Sequence, residues 1–184
     1  MLTEESNILD LEEKKQEVEN ILSLAEKLQE ACSSLGFNPF QPGAIKELKM
    51  ANILGHNWVK CKKKADACSR SNPNDVYEYL SGTENGSGQI DRFFKDGIGE
   101  QHEKHMQSVE RITRNKSFYL AYTDKNTSKP LHILRIYEVA PEKILQSAED
   151  QLSKSINLIS HISFDEKFAV ANGKLVYKDK SNKS

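Results

Sequence analysis

The chain has 184 residues and a mass of 20.9 kDa, is 37% hydrophobic and 29% charged, and has a mean hydropathy of −0.66. That is long enough to bury a core without disulfides, and it contains no apolar run of the roughly 20 residues that a membrane helix needs. The net charge of −1 conceals an asymmetry: residues 1–30 sum to −6 and the remainder to +5.

An acidic segment beside a mildly basic body fits a nucleic-acid partner, and equally an ordinary soluble protein. The start, Met1-Leu2-Thr3-Glu4-Glu5, lacks the basic-then-apolar order of a secretory leader, so a cytoplasmic location is expected. Cys32, Cys61 and Cys68 are an odd, sparse set, without the Cys-x-x-Cys pairs of a structural zinc site.

Residues 5–34 read as one long helix, because Leu11, Val18, Leu22, Ala25 and Leu28 recur on one face and Ile21 and Leu24 widen it. Gly36 and Asn38-Pro39 stop it. The apolar stripe needs cover from the body or from a partner chain. A second helix over 42–54 has Pro42 in its first turn, buries Ile45, Leu48 and Ala51, and ends at Gly55. A short strand at 58–59 precedes the basic run Lys60-Cys61-Lys62-Lys63-Lys64. Residues 75–80 read as a strand, 81–88 as a glycine-rich loop, 89–94 as a further strand and 100–112 as a polar helix. Residues 117–123 and 131–139, rich in aromatic and branched side chains, are the clearest strands. A helix follows over 141–155, and Asn172-Gly173 within 168–177 signals a tight hairpin. The expected architecture is α/β or α+β: a small mixed sheet flanked by helices over residues 37–178, with a helical extension over 1–36.

The chemistry concentrates between Glu47 and Leu80. A helix carries Glu47, Asp66 sits between alanines just after the basic run, and Glu78 lies in the strand Val76-Tyr77-Glu78-Tyr79-Leu80. Alternation puts Val76, Glu78 and Leu80 on one face of that strand and Tyr77 and Tyr79 on the other. A carboxylate beside apolar neighbours needs a proton, a cation or a metal. Carboxylates meeting at a strand end are typical Mg²⁺ ligands, although a turn-capping Asp66 and a solvent-facing Glu78 account for the same residues.

The runs Glu47-Leu48-Lys49-Met50-Ala51, Leu54-Gly55-His56, Ala65-Asp66-Ala67 and Tyr77-Glu78-Tyr79-Leu80 resemble the core of type II restriction endonucleases of the PD-(D/E)XK nuclease superfamily. In that family a helix supplies a glutamate, a strand start an aspartate, and the next strand Glu-x-Lys. The resemblance implies a restriction-endonuclease-like core that cleaves double-stranded DNA at a specific sequence. Its catalytic residues would be Glu47, Asp66 and Glu78. Mg²⁺ would be held by Asp66, Glu78 and the carbonyl of Tyr79, with Glu47 placing the metal or its water. It also implies a homodimer and a matching DNA methyltransferase. Leu80 occupies the position of the motif lysine and can neither orient nor deprotonate water. Lys64, Arg111, Arg114 and Lys116 are candidates for a cation that has moved, Lys64 foremost. DNA contacts are expected from Lys62, Lys63, Asn85, Gln89, Arg111, Arg114 and Lys116. Two other readings stand beside this one: a non-catalytic DNA-binding or regulatory protein on the same scaffold, and a protein-interaction adaptor working through the 5–34 helix.

Other motifs point to less. The glycine-rich stretch lacks the Gly-Lys-Ser/Thr ending of a P-loop. His102-Glu103-Lys104-His105 misses the zinc-protease spacing, because Met106 stands where the second histidine belongs. His161, set among apolar residues, reads as a core or edge histidine, and no nucleophile elbow supports a serine triad.

Overall fold

In the strands at the centre of the sheet both faces are covered. A computed structural model of the chain describes residues 13–60, 65–125 and 131–180. Its elements are α1 (Lys15–Ser34), α2 (Ala44–Leu54), β1 (Asn57–Trp58), β2 (Ala67–Cys68), β3 (Val76–Thr83), β4 (Ser87–Phe94) and α3 (Glu100–Thr113). After these come β5 (Ser117–Thr123), β6 (Ile133–Val139), α4 (Pro141–Ser153), β7 (Ile159–Asp165), α5 (Glu166–Asn172) and β8 (Gly173–Lys178). The protein is therefore mixed α/β. The chain divides into two compact units, one through Ala44 and one from Ile45.

In the first unit, α1 carries Ile21, Leu22, Leu24 and Leu28 on exposed positions. The part of the expected helix before residue 13 lies outside the described residues. No helix among the described residues is long and apolar enough to cross a membrane.

The second unit is built on a six-stranded sheet in the order β1-β2-β3-β5-β6-β8, with a separate β4-β7 pair. β1, β2 and β3 run antiparallel in turn, and β3 pairs parallel with β5. A parallel pair needs a long crossover, which β4 and α3 provide. β6 and β8 then extend the sheet antiparallel. All seven residues of β5 are buried, as expected of a strand covered on both faces. Phe118 and Leu120 face one apolar cluster together with Leu80, Phe93, Ile112 and Ile144. Tyr119 and Ala121 face the other, with Met50, Ala67, Tyr77 and Tyr79. The alternation inferred for β3 thus holds, and its aromatic side is packed. His56 Nδ1 shares a 2.8 Å hydrogen bond with the Tyr79 hydroxyl and stacks on Tyr77 at 4.3 Å.

Two expectations are corrected. Residues 81–88 are not a free loop: β3 runs to Thr83, β4 starts at Ser87, and only a tight turn closed by Gly86 N–H to the Thr83 carbonyl (2.8 Å) joins them. The glycines serve close approach, since a Cβ on Gly88 would come within 2.9 Å of Leu80 Cβ. Arg135 pins the turn, contacting Glu84 at 3.2 Å while its guanidinium also grips Glu166. Likewise, Asn172-Gly173 is not a hairpin tip. It is the junction between α5 and β8, because Asp165 caps α5 by accepting the Phe168 N–H at 2.8 Å, and Ala169 is buried. Gly173 is required by crowding, its absent Cβ facing the Ala169 and Glu138 carbonyls at 2.8 Å. β7 is a strand beyond those expected from the sequence: only Ile162 and Phe164 are buried, and polar residues surround them.

Candidate active site

Glu47, Asp66 and Glu78 line one cavity of about 250 Å³, together with Leu80, Gln89, Asp91 and Arg111. Each comes from a different element for a local reason. Glu47 lies in the first turn of α2, where a carboxylate is favoured by the helix dipole, and it is buried. Asp66 stands just before β2. Its N–H donates to the Tyr77 carbonyl at 3.1 Å, its carbonyl accepts from Val59 at 2.9 Å, and its Oδ2 accepts from the Tyr79 N–H at 2.8 Å. Asp66 is therefore tied by backbone and side chain to the strand that bears Glu78. Tyr79 reaches the cavity as well, while its ring packs in the aromatic cluster of the opposite face.

Burial raises the Glu78 carboxyl, and the nearby Asp66 charge adds to it; Arg114 and Arg111 pull the other way, and Glu47 pushes up again, leaving Glu78 at about 8. Burial lowers Arg111, against the attraction of Glu78. The Arg111 guanidinium is held by the Asp91 carbonyl at 2.6 Å. Among the described residues no set of three or more His, Cys, Asp and Glu side chains forms a metal cage. Asp66 and Glu78 nonetheless supply hard carboxylate oxygens. Mg²⁺ is usually held by one or two carboxylates plus water and substrate phosphate, so this donor set fits it.

The other expected site residues are dispersed. Arg111 and Gln89 join the cavity, Gln89 Nε2 also donating to Ser163 Oγ at 3.3 Å. Arg114, exposed beyond the end of α3, acts on Glu78 electrostatically. Like Arg114, Asn85 and Lys116 do not line the cavity: Asn85 lines a different cavity with Gln151 and Asp165, and Lys116 is engaged in an ion pair with Asp75 at 2.5 Å. Lys62, Lys63 and Lys64 lie outside the described residues, as does Cys61. His102 bonds Asp96 at 2.8 Å and His105 bonds the Phe94 carbonyl at 2.9 Å.

Sequence reasoning missed Asp91. The pairing of β4 with β7 shifts register between Ile90 and Phe93, and Arg92 adopts φ 54°. The irregularity buries Ile90 and Phe93 and leaves Asp91 and Arg92 both outward, as a β-bulge does. Asp91 thereby lines the cavity and meets His161 Nδ1 at 2.9 Å. The signal was present in Ile90-Asp91-Arg92-Phe93, where two polar residues between two apolar ones break strand alternation. Of the two readings of His161, core or edge, the structure shows the second: the side chain is exposed on β7 beside Asp91.

No protein-family model matches the chain, and no curated protein sequence matches it.

Proposed function

We propose that the protein is a Mg²⁺-dependent endonuclease of double-stranded DNA, resembling type II restriction enzymes of the PD-(D/E)XK superfamily. One observation carries this reading: the helix glutamate Glu47, the strand-start aspartate Asp66 and the next-strand glutamate Glu78 line a single cavity that also holds the cation Arg111. A homodimer, with one site for each DNA strand, and a protective methyltransferase belong to the same proposal.

Asp66 and Glu78 are the residues to hold Mg²⁺. When bound there, the ion supplies Lewis acidity that lowers the pKa of water and offsets charge at phosphorus. Asp66 is oriented for this by the Tyr79 N–H. Glu78 must be ionised to bind the metal, which burial opposes first and the nearby Asp66 charge second. Glu47 and Asp91 are the other carboxylates of the cavity, and Glu47, buried at the start of α2, would help place the metal or its water. Leu80 contributes apolar wall only, being buried in the core cluster. The charge missing at that position comes from Arg111, which stays protonated and so stabilises phosphate oxygens rather than acting as a base.

The test is digestion of long mixed-sequence DNA by wild type and Asp66→Ala, with Mg²⁺ and with EDTA. Discrete fragments that need metal and disappear in the variant support the reading. Folded protein that leaves unmodified DNA of several origins uncut with Mg²⁺ and Mn²⁺ overturns it. The burial of Leu80 favours a second reading, DNA binding without cleavage, which predicts retention of DNA on a gel in EDTA.

A further inference from the structure

Beside the carboxylate cavity lies a second one of about 400 Å³, lined by Arg92, Phe94, Lys104, Gln107, Ser108 and Arg111. Arg111 lines both. Lys104, Ser108 and Arg111 follow at helical spacing along one side of α3, so that side presents a basic edge to the groove. The helix is stitched to the end of β4 by Ser108, whose hydroxyl lies 3.3 Å from the Phe94 N–H that donates to it. From the strand side the bulge contributes Arg92.

Arg92 is the only non-glycine residue with positive φ among the described residues. A left-handed backbone is unfavourable for an ordinary residue, and asparagine or glycine would adopt it more readily. Among the described residues Arg92 makes no ion pair and no side-chain hydrogen bond. Lys104 is paired with the exposed Glu100 at 2.5 Å, and Asp91 is turned to His161. One irregularity therefore sends a carboxylate to the first cavity and an unpaired guanidinium to the second.

We infer that this groove is the track for the DNA backbone leaving the cavity. Arg92 and Lys104 contact phosphates next to the one that is cut, and Arg111 at the junction contacts the cut phosphate itself. The inference rests on the nuclease reading for the identity of the polymer, a phosphodiester chain in duplex form. Phosphate contacts of this kind set affinity and register without reading sequence.

The experiment is fluorescence anisotropy of a labelled mixed-sequence duplex with the full chain, Ca²⁺ replacing Mg²⁺, across a salt series. Arg92→Asn removes the charge while keeping a residue that tolerates the left-handed backbone. Lys104→Gln removes the second cation, and Lys143→Gln on α4 removes one charge outside both cavities. The groove predicts that Arg92→Asn and Lys104→Gln each weaken binding about 5- to 10-fold near physiological salt and flatten the log–log salt slope by about 1. Arg92→Lys recovers most of the affinity, Lys143→Gln matches wild type, and melting temperatures stay together. Wild-type affinity and slope in both groove variants overturn the groove and leave the nuclease reading standing. Groove-dependent binding by a protein that never cuts sinks the nuclease reading and sustains the groove. No duplex binding by wild type ends both.

Discussion

The Tyr79 backbone N–H donates to Asp66 Oδ2 at 2.8 Å, joining the start of β2 to the middle of β3. The carboxylate that would hold metal is thus also a structural acceptor for a buried donor. Asp66→Ala leaves that N–H unsatisfied, at a cost of about 1–3 kcal/mol. Asp66→Asn keeps an oxygen acceptor and removes only the charge. The expected result is a melting temperature near wild type for Asp66→Asn and a clear drop for Asp66→Ala. DNA cleavage should fall by about 100-fold or more in both, since even supporting residues of metal sites are worth 10–100-fold. Thermal melts and cleavage time courses check this; full activity in Asp66→Asn removes Asp66 from the site.

Glu78 gains its proton affinity on folding, which fixes the sign of its effect on stability. Its folded pKa of about 8 lies above the ordinary glutamate value of 4.5. Between those values the folded state binds more protons than the unfolded chain, so Glu78 takes stability away as pH rises through the window. Below pH 4 the contribution vanishes. Glu78→Gln should therefore melt close to wild type near pH 4 and progressively higher than wild type from pH 5 to 8. Parallel melting curves across that range contradict the buried, like-charged setting of Glu78.

The same proton couples to metal. A divalent ion favours the ionised carboxylate, so binding must displace the proton from Glu78 below its pKa. Mg²⁺ or Mn²⁺ should raise the melting temperature of the wild-type protein more at pH 8 than at pH 6, and calorimetry at pH 6 should show proton release on binding. The doubly substituted Asp66→Asn, Glu78→Gln protein should show no shift at either pH. A metal-induced shift that survives in that variant places the ion elsewhere.

Local pattern made part of this site legible in the sequence. Glu78 shares a strand face with Leu80 because the Tyr77 and Tyr79 alternation is strict, and Glu47 sits on a helix that Gly55 ends. The mixed α/β class follows from the same periodicities. What local pattern could not supply was tertiary. Asp91 enters the cavity through a bulge that pairs β4 with β7, and β7 itself is separated from β4 by a helix, a strand pair and another helix. Arg111 sits on a polar helix face whose cavity-lining role depends on how α3 packs against β4. The 81–88 glycines read as a loop because φ freedom and close packing leave the same residue type in the sequence. Asn172-Gly173 looked like a turn for the same reason, although Gly173 has an ordinary φ of −127°.

Gly88 offers a test of how tightly β4 must approach β3. A Cβ there would stand 2.9 Å from Leu80 Cβ and 3.2 Å from the Ser81 nitrogen. Neither contact is the movable end of a long side chain, so Gly88→Ala forces the strands apart. Overpacking of this kind costs about 1–3 kcal/mol. Because Gln89 and Asp91 ride on β4, the displacement should also weaken cleavage beyond what the lost stability explains at temperatures where the variant is fully folded. Gly86→Ala would meet the Thr83 hydroxyl instead, a side chain able to rotate, and should be milder. Equal melting temperatures for Gly88→Ala and wild type would show that β4 does not need this approach.

Arg111 joins the two cavities and opposes the charge cluster, so its loss should be visible in two independent ways. Its guanidinium is fixed by the Asp91 carbonyl at 2.6 Å and pulls the Glu78 carboxyl down against burial and Asp66. Arg111→Gln removes that pull, so the pH at which cleavage and metal binding rise should move upward. It also removes charge stabilisation of phosphate oxygens, lowering the rate at saturating DNA by about 100-fold or more. Arg111→Lys keeps the charge but not the planar fork that the Asp91 carbonyl positions. It should restore most of the pH profile while recovering only part of the rate. A purely structural Arg111 predicts the opposite partition: a lowered melting temperature in both variants, with pH dependence unchanged. The profile of cleavage rate from pH 6 to 9, measured beside thermal melts, separates the two.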